Sequence, residues 1–203
     1  MSYRDTKISR SLAKLLRHSG FKEGLIFRED GYTFLDDLLN HVYMTNSKTT
    51  LEDISRIVEN NDKKRFQLLE ENGKTFIRAT QGHSMNFKNI GYKKIEKIGD
   101  YGVFKAIHGT YNKVIDIIKK EGLSKMERTH IHFALGEPED DSVISGMRKS
   151  SEVYIYLDIQ KCLDDGIEIL ISDNGVILVE GINGILSPEY FEKIIYVKNK
   201  KII

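Results

Sequence analysis

The groups in this chain best suited to chemistry are cations and imidazoles set among small polar residues, a combination that grips phosphate. Arg17 and His18 close the segment Ser9 to His18, where Ile8, Leu12, Leu15 and Leu16 recur at helical spacing. Ser19-Gly20 is expected to stop that helix, glycine supplying the left-handed conformation a helix end often needs. The pair then sits at a helix C-terminus, off the buried stripe. Taken alone it reads as charge complementing the helix dipole.

Four further stretches share this character. Arg65 ends the run Asn61-Asp62-Lys63-Lys64-Arg65-Phe66 at the entry to a strand pattern, on the opposite face from Phe66 and Leu68. Gln81, His83 and Ser84 follow a strand exit and offer hydrogen bonds to a ribose or phosphate, with Gly82 permitting close backbone approach. His108-Gly109-Thr110 falls where a strand gives way to a helix. Backbone amides there suit anionic or amide ligands, and glycine admits a flat ring against the main chain. Ser145-Gly146-Met147-Arg148 sets small residues beside a guanidinium, the side chain that holds phosphate bidentately. Each has a plain alternative: a solvated charge run, a polar loop, a satisfied histidine beside a turn, a solvent-facing arginine.

Other chemistries are disfavoured. His130 and His132 share one strand face, but no third metal ligand lies nearby in sequence. Cys162 is the single cysteine, without a partnered histidine, and reads as a structural thiol. No Gly-x-Gly-x-x-Gly follows a strand and no Gly-rich loop ends in Gly-Lys-Ser/Thr, which argues against Rossmann and P-loop sites.

The elements that must position these residues change character along the chain. The first helix is followed by a short strand at Leu25-Ile26-Phe27, a turn at Asp30-Gly31 and a helix from Tyr32 to Met44. A third helix starts at Thr50, with Glu52 and Asp53 in its first turn, and buries Leu51, Ile54, Ile57 and Val58. Strand patterns at 65–69 and 74–80 flank Asn72-Gly73, the best hairpin signal in the chain. Three helices and a hairpin suggest a winged-helix lobe over residues 1–84, and 85–101 read as a linker. Residues 102–203 carry strand-like runs at 103–107, 131–134, 153–157, 167–171, 176–179 and 194–197, with a helix at 111–121. The fold class is α+β, with the second lobe rich in sheet.

Composition sets the bounds. With 31 basic against 30 acidic residues the net charge is +1, so contact with a polyanion must come from a local patch. No apolar run is long enough to span a membrane and the N-terminus lacks a signal-peptide core, so a cytoplasmic protein is expected. Near-balanced charge is compatible with a monomer.

In order along the chain stand Leu16-Arg17-His18, Asp30-Gly31-Tyr32, Asn61 to Phe66, Gln81-Gly82-His83-Ser84, His108-Gly109-Thr110, His130-Ile131-His132, Ser145-Gly146-Met147-Arg148 and Asn174-Gly175-Val176-Ile177-Leu178. The series resembles the NAD-dependent tRNA 2′-phosphotransferase family along nearly the whole chain. The resemblance implies a winged-helix lobe, an ADP-ribosyltransferase-like lobe and an active site in the cleft between them. It implies that an internal RNA 2′-phosphate, as at a tRNA splice junction, attacks the anomeric carbon of the nicotinamide ribose of NAD and expels nicotinamide. The ribose 2″-hydroxyl of the ADP-ribosylated RNA then attacks phosphorus. This leaves RNA with a 2′-hydroxyl and ADP-ribose 1″,2″-cyclic phosphate.

By the same resemblance Arg17, His18, Arg65 and Arg148 are the catalytic set. His108, Gly109 and Thr110, with His132 and Ser145, are the expected NAD contacts, and no metal is implied. Two other readings compete. One is an ADP-ribosyltransferase that stops after the first step, on nucleic-acid phosphate ends or on a protein; it would use a strand-borne carboxylate such as Glu180. The other is a winged-helix DNA-binding regulator, for which Arg56 is the only base on a third helix that also bears Glu52, Asp53 and Glu59.

Overall fold

The computed structural model describes residues 2–137, 147–148, 150–198 and 201–202. Its helices and sheets divide between two compact units, Met1–Gly91 and Tyr92–Ile203.

The first unit opens with α1 (Tyr3–Lys14), capped reciprocally: Ser2 accepts from the Asp5 amide and the Asp5 carboxylate accepts from the Ser2 amide. The chain then widens into a π-helical turn, Leu15–Ser19, which buries Leu15 and Leu16 side by side. Gly20 does not stop the helix by turning left-handed; its φ is −55°. It is glycine because a Cβ there would lie 2.6 Å from both the Leu15 carbonyl oxygen and the Phe27 ring.

The expected strand at Leu25-Ile26-Phe27 shrinks to one bridge between Phe27 and Thr33. The expected helix from Tyr32 to Met44 is broken. Thr33–Phe34 form β1, and α2 (Leu35–Asn40) is separated from α3 (Val42–Thr45) by an extended His41, whose Nδ1 accepts from the Tyr43 amide. Thr50 and Asp53 form a second capping box at the start of α4 (Leu51–Glu59). β2 (Phe66–Glu71) and β3 (Lys74–Ala79) pair antiparallel around Asn72 and Gly73, both at positive φ as a tight two-residue hairpin requires. The sheet order is β1-β3-β2. Ile8, Leu12, Leu16, Leu35, Ile54 and Ile77 fill the core with at most 1% exposure.

The second unit is dominated by one sheet. It contains β4 (Lys93–Lys94), β5 (Ile107–Thr110), β7 (Ile131–Ala134), β8 (Val153–Leu157), β9 (Ile169–Ile171), β10 (Val176–Val179), β12 (Phe191–Tyr196) and β13 (Lys201–Ile202). Their order is β13-β12-β8-β5-β7-β10-β9-β4, and every pairing is antiparallel. β6 (Leu123–Ser124) and β11 (Ile185–Leu186) form a separate two-stranded ribbon. The strand expected over 103–107 is displaced: pairing begins at Ile107 and takes in His108-Gly109-Thr110. α5 (Asn112–Glu121) follows, and α6 (Ile159–Asp164), capped by Asp158, is a helix that the sequence pattern does not reveal.

Strand alternation sorts the residues onto two buried faces. Val153, Ile155 and Leu157 join the main core with Phe133 and Ile177. Tyr154 and Tyr156 face the other way with Ile107, Ala134 and Met147. Cys162 is buried in the main core, and burial foremost pushes its thiol up to about 12, which leaves it inert as a nucleophile.

Candidate functional site

In the first unit the candidate residues converge on one segment, Thr80 to Met85. A helix end leaves carbonyls without intrahelical partners. The Arg17 carbonyl is satisfied from outside, by the Ser84 amide at 2.9 Å and the Met85 amide at 3.3 Å. The Ser84 hydroxyl lies 3.0 Å from His18 Nδ1, so one serine holds both members of the pair. Gly82 has φ +85°, and a Cβ built there would stand 3.5 Å from the Arg17 guanidinium carbon. The arginine head therefore lies flat against the loop backbone. At the other end of the segment, the Thr80 amide donates to the Arg65 carbonyl at 3.0 Å, continuing the Phe66↔Ala79 register by one pair.

What precedes Arg65 is a built turn rather than a loose charge run. Asn61 is buried, its side chain accepts from the Lys63 amide, and its carbonyl accepts from the Lys64 amide. Lys64 takes φ +43°, and its carbonyl accepts from the Thr80 hydroxyl. Arg65 is half-buried at the exit of this turn. Gln81 is buried, and His83, only 1% exposed, meets the Phe87 ring edge-on. Of the substrate-binding candidates, Ser84 therefore touches the Arg-His pair directly, while His83 packs in support of its loop. Arg78 plays a structural part: it donates twice to Gln67 Oε1 and to the carbonyls of Asp30 and Ile90.

The second unit gathers the other set. His108 is half-buried on β5, its Nδ1 lies 2.9 Å from the His132 carbonyl, and its ring packs against Phe133. Burial, ahead of every other influence, pushes the His108 pKa down, so the ring is neutral at pH 7. Gly109 is on the opposite face. A Cβ there would stand 2.3–2.4 Å from Met147 Cγ and Sδ and from Ser151 Oγ, so the space above this glycine is filled by the chain itself. Ser151 is 6% exposed, and its hydroxyl finds no hydrogen-bond partner among the described residues. Thr110 is buried, and its carbonyl accepts from the Glu152 amide. The first amide of α5, on Asn112, is taken by the Glu152 carboxylate at 3.0 Å rather than being open to a ligand.

Arg148 is exposed just beyond Met147, and its carbonyl accepts from the Ser151 amide. The Tyr111 hydroxyl bonds Ser150 Oγ at 3.0 Å, and that bond, followed by Arg148, lowers the tyrosine pKa. Arg128 Nη1 lies 3.4 Å from His132 Nδ1. Desolvation and then the Arg148 charge lower the Arg128 pKa. Tyr111 and Arg128 thus join the cluster without having been singled out from sequence, while Ser151 closes the run of small residues around Arg148. The available signal was position: Tyr111 directly follows His108-Gly109-Thr110, and Arg128 stands four residues before His132, at the entry to the same strand. His130 turns instead to Thr129 and the Tyr92 ring, so the two histidines do not form a pair. Ser145 lies outside the described residues.

Glu180, the carboxylate that a protein-directed transferase would need, stands just past β10, is 59% exposed and pairs with Lys125 Nζ. Among the described residues no cluster of three or more metal-ligating side chains occurs, and no helix is long and apolar enough to cross a membrane.

The model of the RNA 2′-phosphotransferase, Tpt1 / KptA family matches residues 3–181. A Danio rerio protein named tRNA 2′-phosphotransferase 1 is 40% identical over 193 residues, covering 94% of this chain and 85% of its own. The Saccharomyces cerevisiae tRNA 2′-phosphotransferase is 40% identical over 159 residues, 76% of this chain and 69% of its own. A Schizosaccharomyces pombe relative with a provisional tRNA 2′-phosphotransferase name is 43% identical over 186 residues; these cover 92% of this chain but 50% of that longer protein. The matched span takes in Arg17-His18, Arg65, the Gln81–Ser84 loop, the His108–Thr110 strand and Arg148, and on that ground the chain belongs to the RNA 2′-phosphotransferase family and is an enzyme of that class.

Proposed function

We propose that this enzyme removes an internal 2′-phosphate from RNA, as at a tRNA splice junction, by transferring it to NAD. The single observation that carries the reading is the latch in the first unit: Ser84 holds Arg17 through its amide and His18 through its hydroxyl, while Arg65 is fixed at the other end of the same segment. Cations prearranged in this way suit a phosphate monoester, which is close to dianionic at neutral pH.

The dianion is already a nucleophile, so the first step needs positioning rather than a base. Arg17 and Arg65 hold the RNA 2′-phosphate while it attacks the anomeric carbon of the nicotinamide ribose, and nicotinamide leaves with the bonding pair. In the second step the ribose 2″-hydroxyl attacks phosphorus, its proton is taken up, and the RNA 2′-oxygen leaves and is protonated. His18 serves the proton transfer and Arg148 the charge on phosphorus; donors of this kind are each worth about 3–4 kcal/mol. The residues of the second unit fit NAD in their chemistry. The Ser151 hydroxyl lies beside Gly109 without a hydrogen-bond partner among the described residues, Arg128 and Arg148 offer donors to an anion, and neutral His108, whose Nδ1 proton goes to the His132 carbonyl, offers Nε2 as an acceptor to a ribose hydroxyl. The first unit is read as a winged helix and the second as an ADP-ribosyltransferase-like lobe, on the helix-then-hairpin order and the antiparallel sheet respectively.

The pairing of Glu180 with Lys125 speaks against a carboxylate-dependent protein transferase. The regulator reading loses its one base, because Arg56 is held by Asp5 and Asp53. RNA carrying a radiolabelled 2′-phosphate tests the proposal. The label should leave the RNA as a small organic anion only when NAD is supplied; release as inorganic phosphate without NAD would overturn it.

A further inference from the structure

The basic residues of the first unit fall into two classes. Arg4 is occupied by Asp53, at 2.7 Å to each carboxylate oxygen, and Arg56 by Asp5 and Asp53. Lys7, Arg10 and Lys14 are exposed on α1, and among the described residues none has a carboxylate within ion-pair distance. Steps of three and four residues place Lys7, Arg10 and Lys14 one above the next along a single stripe of α1. That stripe runs straight into the π-helical turn that carries Arg17 and His18. Beside it lies a groove of about 340 Å³ lined by Lys7, Arg10, Ser11, Tyr43, Asn46 and Ser47. Lys14 reaches over its end, donating to the Tyr43 hydroxyl at 2.7 Å with its ammonium 4.5 Å from the ring centre.

The groove thus offers cations that form no ion pair among the described residues, with Glu23 at its end accepting from the Tyr43 hydroxyl. They stand at the pitch of a helix turn, about 5.4 Å, close to the spacing of successive phosphates on a strand. It adds an aromatic ring and small polar groups, the makings of a strand-tracking surface. In a protein of net charge +1 this is a local excess rather than a general one. We infer that the α1 groove is a separate RNA-binding track that holds the phosphodiester strand flanking the 2′-phosphate and leads it to Arg17. This rests on the 2′-phosphate reading for the direction of the track, and on the α1 stripe for its existence.

The test compares a 2′-phosphorylated trinucleotide with a longer RNA of about 15 nucleotides carrying the same group. The double variant Lys7→Glu/Arg10→Glu should raise KM for the longer RNA tenfold or more and change that for the trinucleotide less than twofold. The slope of log KM against log salt should fall by roughly 1.4, the share of two single-strand phosphate contacts. A comparison variant of equal charge change in the second unit, Lys97→Glu/Lys120→Glu, should leave the ratio of the two KM values unchanged. An equal rise for both RNAs, or a rise for neither, would overturn the track. Should the unaltered protein process neither RNA, the 2′-phosphate reading is what has failed. Fluorescence anisotropy with the unphosphorylated longer RNA then decides the track alone: binding lost in the double variant supports it, and binding retained refutes it.

Discussion

At the scale of single residues, the arrangement depends on how closely backbone and cation approach. Gly82 is at positive φ with the Arg17 guanidinium in van der Waals contact, so Gly82→Ala meets backbone strain of about 1–2 kcal/mol, and relief of that strain shifts the loop on which the arginine head rests. Turnover should fall tenfold or more while thermal melting shows the fold retained; unchanged turnover would mean that the contact does not position Arg17. Arg17→Lys keeps the charge but loses the planar fork, and kcat should drop about 10²- to 10³-fold in a single-turnover assay. His108 gives a pH signature. Its pKa is pushed down in the folded protein, chiefly by burial, so the unfolded chain takes up the proton first as pH falls. The stability that the neutral ring contributes is complete above about pH 6.5 and is lost as pH drops through the lowered value. Replacement His108→Gln should flatten the pH dependence of urea unfolding on the acid side of neutrality.

At the scale of elements, α1 and α4 are joined through Asp53, which caps α4, accepts from Arg4 and Arg56, and is held far below the usual carboxylate range, the Arg4 bond being the largest cause. Its ionised form therefore supports the fold above the unfolded carboxylate value near 4, and the support is lost on acidification through the lower folded value. Asp53→Asn should melt at lower temperature at pH 7 and lose less stability than the parent on going to low pH, as read by circular dichroism. Where local chemistry decides, the sequence was readable: the Thr50 cap, the Asn72-Gly73 hairpin and the apolar runs at 153–157 and 176–179 stand at their expected places. Where a long-range contact decides, it was not. The role of Gly20 depends on Phe27 packing onto it, and the split between α2 and α3 depends on the extended backbone of His41. The candidate site followed the same rule. Arg17, His18 and Ser84 were legible as polar residues at element ends. Ser151 joins only through its approach to Gly109 on a strand distant in sequence, whereas Arg128 meets His132 four residues on.

At the scale of the whole molecule, the proposed reaction draws on both units: Arg17, His18 and Arg65 from Met1–Gly91, Arg148 and the proposed NAD contacts from Tyr92–Ile203. The division of labour predicts a separation of the two steps. Arg148→Ala should slow the second step more than the first, so that RNA joined to ADP-ribose accumulates on a gel that resolves the added mass. Variants of Arg17 or Arg65 should stall before any nicotinamide is released. The central claim, that phosphorus passes to a ribose hydroxyl and not to water, is tested most directly by running the reaction with 2′-phosphorylated RNA and NAD in ¹⁸O-water and identifying the products by mass spectrometry. The account predicts RNA with a 2′-hydroxyl, free nicotinamide and ADP-ribose 1″,2″-cyclic phosphate without ¹⁸O; ¹⁸O-labelled inorganic phosphate with NAD intact would contradict it.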